Sequence, residues 1–160
     1  MDKTYQEKMF SGLASLLAGA AGLFSLGLFA SMLATDTVEN ASMIWFLPVT
    51  GLFLLAVAIN FAFLTIKISP RGVSAGYGVF HHNIPAEDLT DIYREDASAL
   101  AYGGFGIRFG WKDGKRRIVY NVIGKPGVVI QRRSLPDREF VFSSNDPEKV
   151  MSILRAVKST

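Results

Sequence analysis

The chain has 160 residues, of which 49% are hydrophobic and 19% charged, with a formal net charge of +3. The absence of cysteine excludes disulfides, thiolate nucleophiles, cysteine-based zinc sites and iron–sulfur clusters. The charge is unevenly placed: between Met9 and Ile66 the only ionisable side chains are Asp36 and Glu39. An apolar half joined to a charged half reads as a membrane anchor followed by a folded domain.

Two uncharged apolar stretches open the chain, 9–33 and 41–66. Each exceeds the roughly 20 residues that a helix needs to cross a bilayer. The first is too long for the apolar core of a secretory signal peptide. The connector, 34–40 (ATDTVEN), is short, polar and free of Lys and Arg. These features predict a two-helix transmembrane hairpin over residues 1–66. Lys3 and Lys8 flank the first stretch, and Lys67 and Arg71 follow the second. The positive-inside rule then predicts a multi-pass protein of the cell membrane, with both termini cytoplasmic and the connector outside.

The first stretch carries small residues at every fourth position: Ser11, Ser15 and Gly19 in one row, Ala14, Ala18 and Gly22 in another. Such rows allow close helix packing, first of all on the tethered second helix and otherwise on a second copy. Asn60, deep in the second stretch, is expected to hydrogen-bond a neighbouring helix. Ser15, Gly19 and Asn60 are therefore the candidate helix-packing positions.

Beyond residue 62 the pattern changes to period-two alternation, the signature of half-buried strands. Seven strands are expected, at about 62–68, 72–80, 88–96, 105–112, 116–123, 127–133 and 138–143. Turn residues separate them, Asp113–Gly114 being the strongest hairpin signal. One amphipathic helix closes the chain. Asp146 suits its N-cap, Pro147 its first turn, and Val150, Ile153, Leu154 and Val157 its apolar face.

Ile68–Val73 (ISPRGV), Ile84–Ile92 (IPAEDLTDI), Tyr102–Phe109 (YGGFGIRF), Gly127–Ile130 (GVVI) and Phe142–Lys149 (FSSNDPEK) carry a family resemblance. In order and spacing they resemble the prokaryotic pleckstrin-homology-like (bacterial PH) domains found beside membrane helices. The resemblance implies an α+β, mainly-β domain at 67–160, with seven antiparallel strands in an open barrel or sandwich closed by the C-terminal helix. It implies a fold rather than an activity.

No catalytic constellation is legible, and neither a cofactor nor a metal is expected. Gly103–Gly106 leads into a strand rather than a helix, so it reads as a turn and not a phosphate loop. His81 and His82 are adjacent on an extended segment and point apart, which disfavours a shared ion. Glu87, Asp88, Asp91, Glu95 and Asp96 read as a solvated rim. From Lys67 onward there are fifteen Lys and Arg against ten Asp and Glu. Lys112, Lys115, Arg116 and Arg117 gather at one hairpin and Arg132 and Arg133 at another, making them the candidate membrane- or partner-facing residues. The expected function is a membrane-anchored, non-enzymatic interaction module that binds a protein partner, itself or the anionic membrane surface. The alternative is an accessory subunit of a larger membrane complex. The bilayer is an expected partner, and nucleic acid is not.

Overall fold

The computed structural model describes residues 4–35, 44–95, 104 and 106–159. The chain opens with a strand, not a helix: β1, Tyr5–Phe10, precedes α1, Gly12–Ala34. After α2, Phe46–Asn60, come β2 (Phe63–Ser69), β3 (Gly72–Tyr77) and β4 (Phe80–Pro85). A single 3-10 turn, Ala86–Asp88, leads to β5, Leu89–Glu95. Then follow β6 (Gly106–Lys112), β7 (Lys115–Asn121), β8 (Gly127–Arg132), β9 (Arg138–Ser143) and α3 (Pro147–Lys158). Two compact units result: Gly12–Ala62, and a β unit made of Met1–Ser11 with Phe63–Thr160. The sequence reading placed that boundary between residues 66 and 67.

The expected two-helix transmembrane hairpin with a seven-stranded barrel is not what forms. Among the described residues, one helix is long and apolar enough to cross a membrane, the 23-residue Gly12–Ala34. At 1.5 Å per residue it is about 34 Å long, against a hydrocarbon core of about 30 Å. α2 has 15 residues, about 22 Å. Residues 63–66, assigned from sequence both to the end of the second apolar stretch and to a first strand at about 62–68, belong to β2, where Leu64, Ile66 and Ile68 are buried and Phe63 and Lys67 are exposed. The strand reading holds there, and the helix ends earlier, at Asn60. Most of the 34–40 connector lies outside the described residues.

α1 and α2 pack antiparallel on each other through small residues. A Cβ at Gly22 would sit 2.9 Å from the Gly51 carbonyl oxygen, and one at Gly19 would touch the Ala58 side chain at 3.7 Å. Ser15, Gly22 and Ser25 are buried, and the Ser25 hydroxyl donates to the Leu47 carbonyl at 2.8 Å. Asn60 is the last residue of α2 and half-buried, so it lies at the helix end rather than deep within it.

Among the described residues the β unit has nine strands in two sheets. β1-β2-β3-β4 form an antiparallel meander, and the second sheet runs β5-β8-β9-β7-β6. Its β7–β9 pair is parallel, a departure from the all-antiparallel expectation. β1 pairs along its whole length with β2, from Tyr5 opposite Ile68 to Phe10 opposite Phe63. The entire apolar segment is thus inserted between two neighbouring strands of one sheet. Glu7 fastens β1 further: its carboxylate accepts from the Ser144 hydroxyl at 2.8 Å and the Asn145 N–H at 2.5 Å.

Leu64, Ile66, Ile68, Tyr77, Ile84, Ile130, Phe140 and Phe142 are fully buried and form the core. The His82 and Phe140 rings lie 4.5 Å apart, so the two sheets pack face to face. α3 closes the unit as expected. Asp146 accepts from the Lys149 N–H at 3.1 Å, Pro147 occupies the first turn, and Val150, Met151 and Leu154 are buried.

Candidate functional site

Strand alternation divides the side chains of the five-stranded sheet between its two faces. Ile118, Tyr120, Phe140 and Phe142 share the face toward the other sheet. Arg117, Val119, Glu139 and Val141 share the opposite face, and there Val119, Val129 and Val141 form an apolar cluster with Tyr93 against it.

Beside that cluster lies a buried ionic network. Arg117, 3% exposed, donates through Nε to Glu139 at 2.8 Å and through Nη2 to the Tyr93 hydroxyl at 3.0 Å. Its Nη1 is paired with Glu95. Lys112 donates to Glu95 at 3.1 Å and Lys115 to Glu139 at 3.0 Å. The Lys112–Glu95 pair ties the two edge strands β6 and β5 together, so the sheet is strongly curled. Burial opposes ionisation of Glu139, but Lys115, Arg117 and Tyr93 hold its carboxyl below the ordinary value. Burial, then the Glu139 carboxylate, push Tyr93 up to about 12.

A second pair ties the 3-10 turn to the end of β8. Asp88 accepts from Arg132 Nε at 2.7 Å, the Ser134 N–H at 2.6 Å and the Ser134 hydroxyl at 2.8 Å. Its own burial disfavours the charge, yet these donors together lower its pKa. His82, packed on Phe140, is lowered by burial and then by Arg132.

Of the six basic candidates, Lys112, Lys115, Arg117 and Arg132 are therefore committed to carboxylates inside the domain. Arg116 is exposed and lies over the Trp111 ring at 5.6 Å, and Arg133 is exposed. The acidic run is not the uniformly solvated rim expected, because Asp88 and Glu95 are buried. Asp96 lies outside the described residues. His81 is exposed, and among the described residues no group of three or more acidic or histidine side chains is placed to hold a metal ion.

The more open chemistry lies where the sheet-facing side of β6 runs past its cover. Phe109 is 80% exposed and Trp111 66%. With Ile118, Arg116 and Arg138 they line a hollow of about 500 Å³. The strand register lays Trp111, Arg116 and Arg138 side by side across three strands. β6 is an edge strand of its sheet. Period-two alternation within the strand expected at about 105–112 puts Phe109 and Trp111 on one face; nothing local in the sequence shows that this face is left exposed. A second, shallower hollow of about 320 Å³ is lined by Lys67, Arg71, Asn83 and their neighbours at the β2–β3 turn.

No family model, no curated protein and no solved structure matches the chain.

Proposed function

We propose that the protein is a membrane-anchored, non-enzymatic binding module whose groove along β6 takes an extended, acidic segment of a protein partner. The observation that carries this reading is the pair of exposed aromatic rings, Phe109 and Trp111, set beside Arg116 and Arg138 on an edge strand. An edge strand offers backbone hydrogen bonds to an added strand, the aromatic rings offer apolar contact, and the guanidinium groups select carboxylates. The groove lies at the Arg116 end of β7. The chain enters its apolar segment near the Asn121 end, about 20 Å away along the strand.

The same reading includes a multi-pass topology with both termini cytoplasmic. β1 and β2 belong to one sheet, so the segment that leaves at Ser11 and returns at Phe63 ends on the side where it began. With α1 as one crossing, the return is made before Phe63. Lys3, Lys8, Lys67 and Arg71 at the two junctions favour the cytoplasmic side. The likeness to bacterial PH domains belongs to this reading too, supported by the closing helix α3; the added β1 and the parallel β7–β9 pair set the chain apart from the expected pattern.

Trp45→Phe leaves Trp111 as the sole indole, since the chain has two Trp residues. Titrating the full chain in mild detergent with an extended peptide of alternating Glu and Val should shift Trp111 emission saturably. Arg116→Gln with Arg138→Gln should abolish the shift. A silent indole, or an unchanged titration in the double variant, overturns the proposal.

A further inference from the structure

Turn residues in the β unit sort by which end of the fold they occupy. At the end remote from the apolar segment the turns carry Arg71, Asp113, Arg133, Ser134 and Asp137, with Leu135 half-buried. At the other end they are apolar. Phe10 and Phe63, opposite each other where the chain leaves and rejoins the sheet, are 51% and 40% exposed. The β3–β4 turn, Gly78–Val79, lies at that same end, because Tyr77 pairs with both Leu64 and Phe80. Val79 is 80% exposed and Phe80 50%. The β7–β8 turn joins them: the Tyr77 hydroxyl donates to the Asn121 carbonyl at 2.6 Å and lies 3.5 Å from the Ser11 hydroxyl. Two residues beyond Asn121, Ile123 is 50% exposed.

The Phe10 and Phe63 rings lie 5.4 Å apart, and turn chemistry does not call for Val79 or Ile123. The β3–β4 turn needs only its glycine, Gly78 at φ +48°, and Gly124 at φ +75° does the same for the β7–β8 turn. Their neighbours are ordinarily Asn, Asp or Ser. Here they are Val and Ile, pointing into solvent. Lys8, lying over the Phe63 ring at 4.1 Å, and exposed His81 and Lys125 stand beside the apolar tips. Apolar and aromatic tips with a basic fringe match the boundary between acyl chains and headgroups.

We propose that Phe10, Phe63, Val79, Phe80 and Ile123 form a docking face for the lipid bilayer. The β unit is then held against the membrane by its own loops as well as by its covalent link. This rests on reading Gly12–Ala34 as membrane-embedded: Phe10 lies two residues from the start of that helix, so the chain itself brings the apolar end within reach of the bilayer surface. It also gives lipid contact to residues other than Lys112, Lys115, Arg116, Arg132 and Arg133, which lie at the remote end.

The absence of native cysteine makes the test direct. Single cysteines at Val79, Ile123, Asp137 and Leu23 of the full chain carry an environment-sensitive fluorophore. The labelled protein is placed in phosphatidylcholine–phosphatidylglycerol vesicles containing lipids with a nitroxide at a shallow acyl position or a deep one. Val79 and Ile123 should be quenched several times more strongly than Asp137 by the shallow nitroxide, and Leu23 most strongly by the deep one. Quenching of Leu23 with Val79 or Ile123 no better quenched than Asp137 overturns the docking face and leaves the anchor standing. An unquenched Leu23 overturns the anchor and the docking face together.

Discussion

Arg117 stands where three strands converge, its guanidinium shared by Glu139, Glu95 and the Tyr93 hydroxyl. A planar fork with several donors suits this arrangement, and lysine does not reproduce it. Arg117→Met leaves two buried carboxylates without their principal partner, and removing one member of a buried pair costs about 3–5 kcal/mol. Arg116→Met, one residue away on the exposed face, should change stability by less than about 0.5 kcal/mol. Denaturant melts of the full chain in detergent compare the two directly. Acid should act in two stages. His82 titrates below its ordinary 6.5 in the folded state, so the unfolded chain takes up that proton first. Stability is then full above pH 6.5 and declines as the pH falls below it. Asp88 and Glu139 are held below 3.8 and 4.5, so their contribution persists above those values and is lost as the pH falls through the folded pKa values. Melting temperature against pH should show both declines, and His82→Gln should remove the first while leaving the second.

At the scale of elements, α3 and β1 are the two closures of the β unit. Leu154 is fully buried, and Leu154→Asp places a charge there, at a cost of several kcal/mol and a matching fall in melting temperature. Unchanged melting would show α3 to be dispensable. β1 is equally required: Met9 is buried, and removing residues 1–10 would bare the edge of β2. A fragment starting at Lys67 would lack β1 and half of β2, and it should aggregate. α3 was legible because its cap, its proline and its apolar stripe are all local signals. The Asp113–Gly114 hairpin was legible for the same reason. β1 was not: its last two residues merge into the apolar run, and a charged residue, Glu7, occupies one of its inward positions. That carboxylate makes sense only beside Ser144 and Asn145, far along the chain. The parallel β7–β9 pair and the burial of Arg117 were hidden likewise, since each depends on strands brought together by the fold.

For the whole molecule, Phe10 opposite Phe63 has a practical corollary. Strand ends that form a pair need only a two-residue turn to connect them. Replacing Ser11–Ala62 with Asn-Gly should therefore turn the inserted unit into an ordinary hairpin and release the β unit as a folded domain. Its circular dichroism should be dominated by strand, and its melting should be cooperative. A molten product would show that the β unit depends on the inserted helices.

Pairing the first strand with one that follows the whole apolar segment also sets a schedule for biosynthesis. Tyr5–Phe10 leaves the ribosome before the apolar segment, but β2, which completes its pairing, emerges only after Ala62. During that interval β1 has no edge to join, and its inward face, Met9 included, stays uncovered. Sheet assembly thus lags synthesis of the helical segment, and Ser144 and Asn145, the groups that bind Glu7, are made later still.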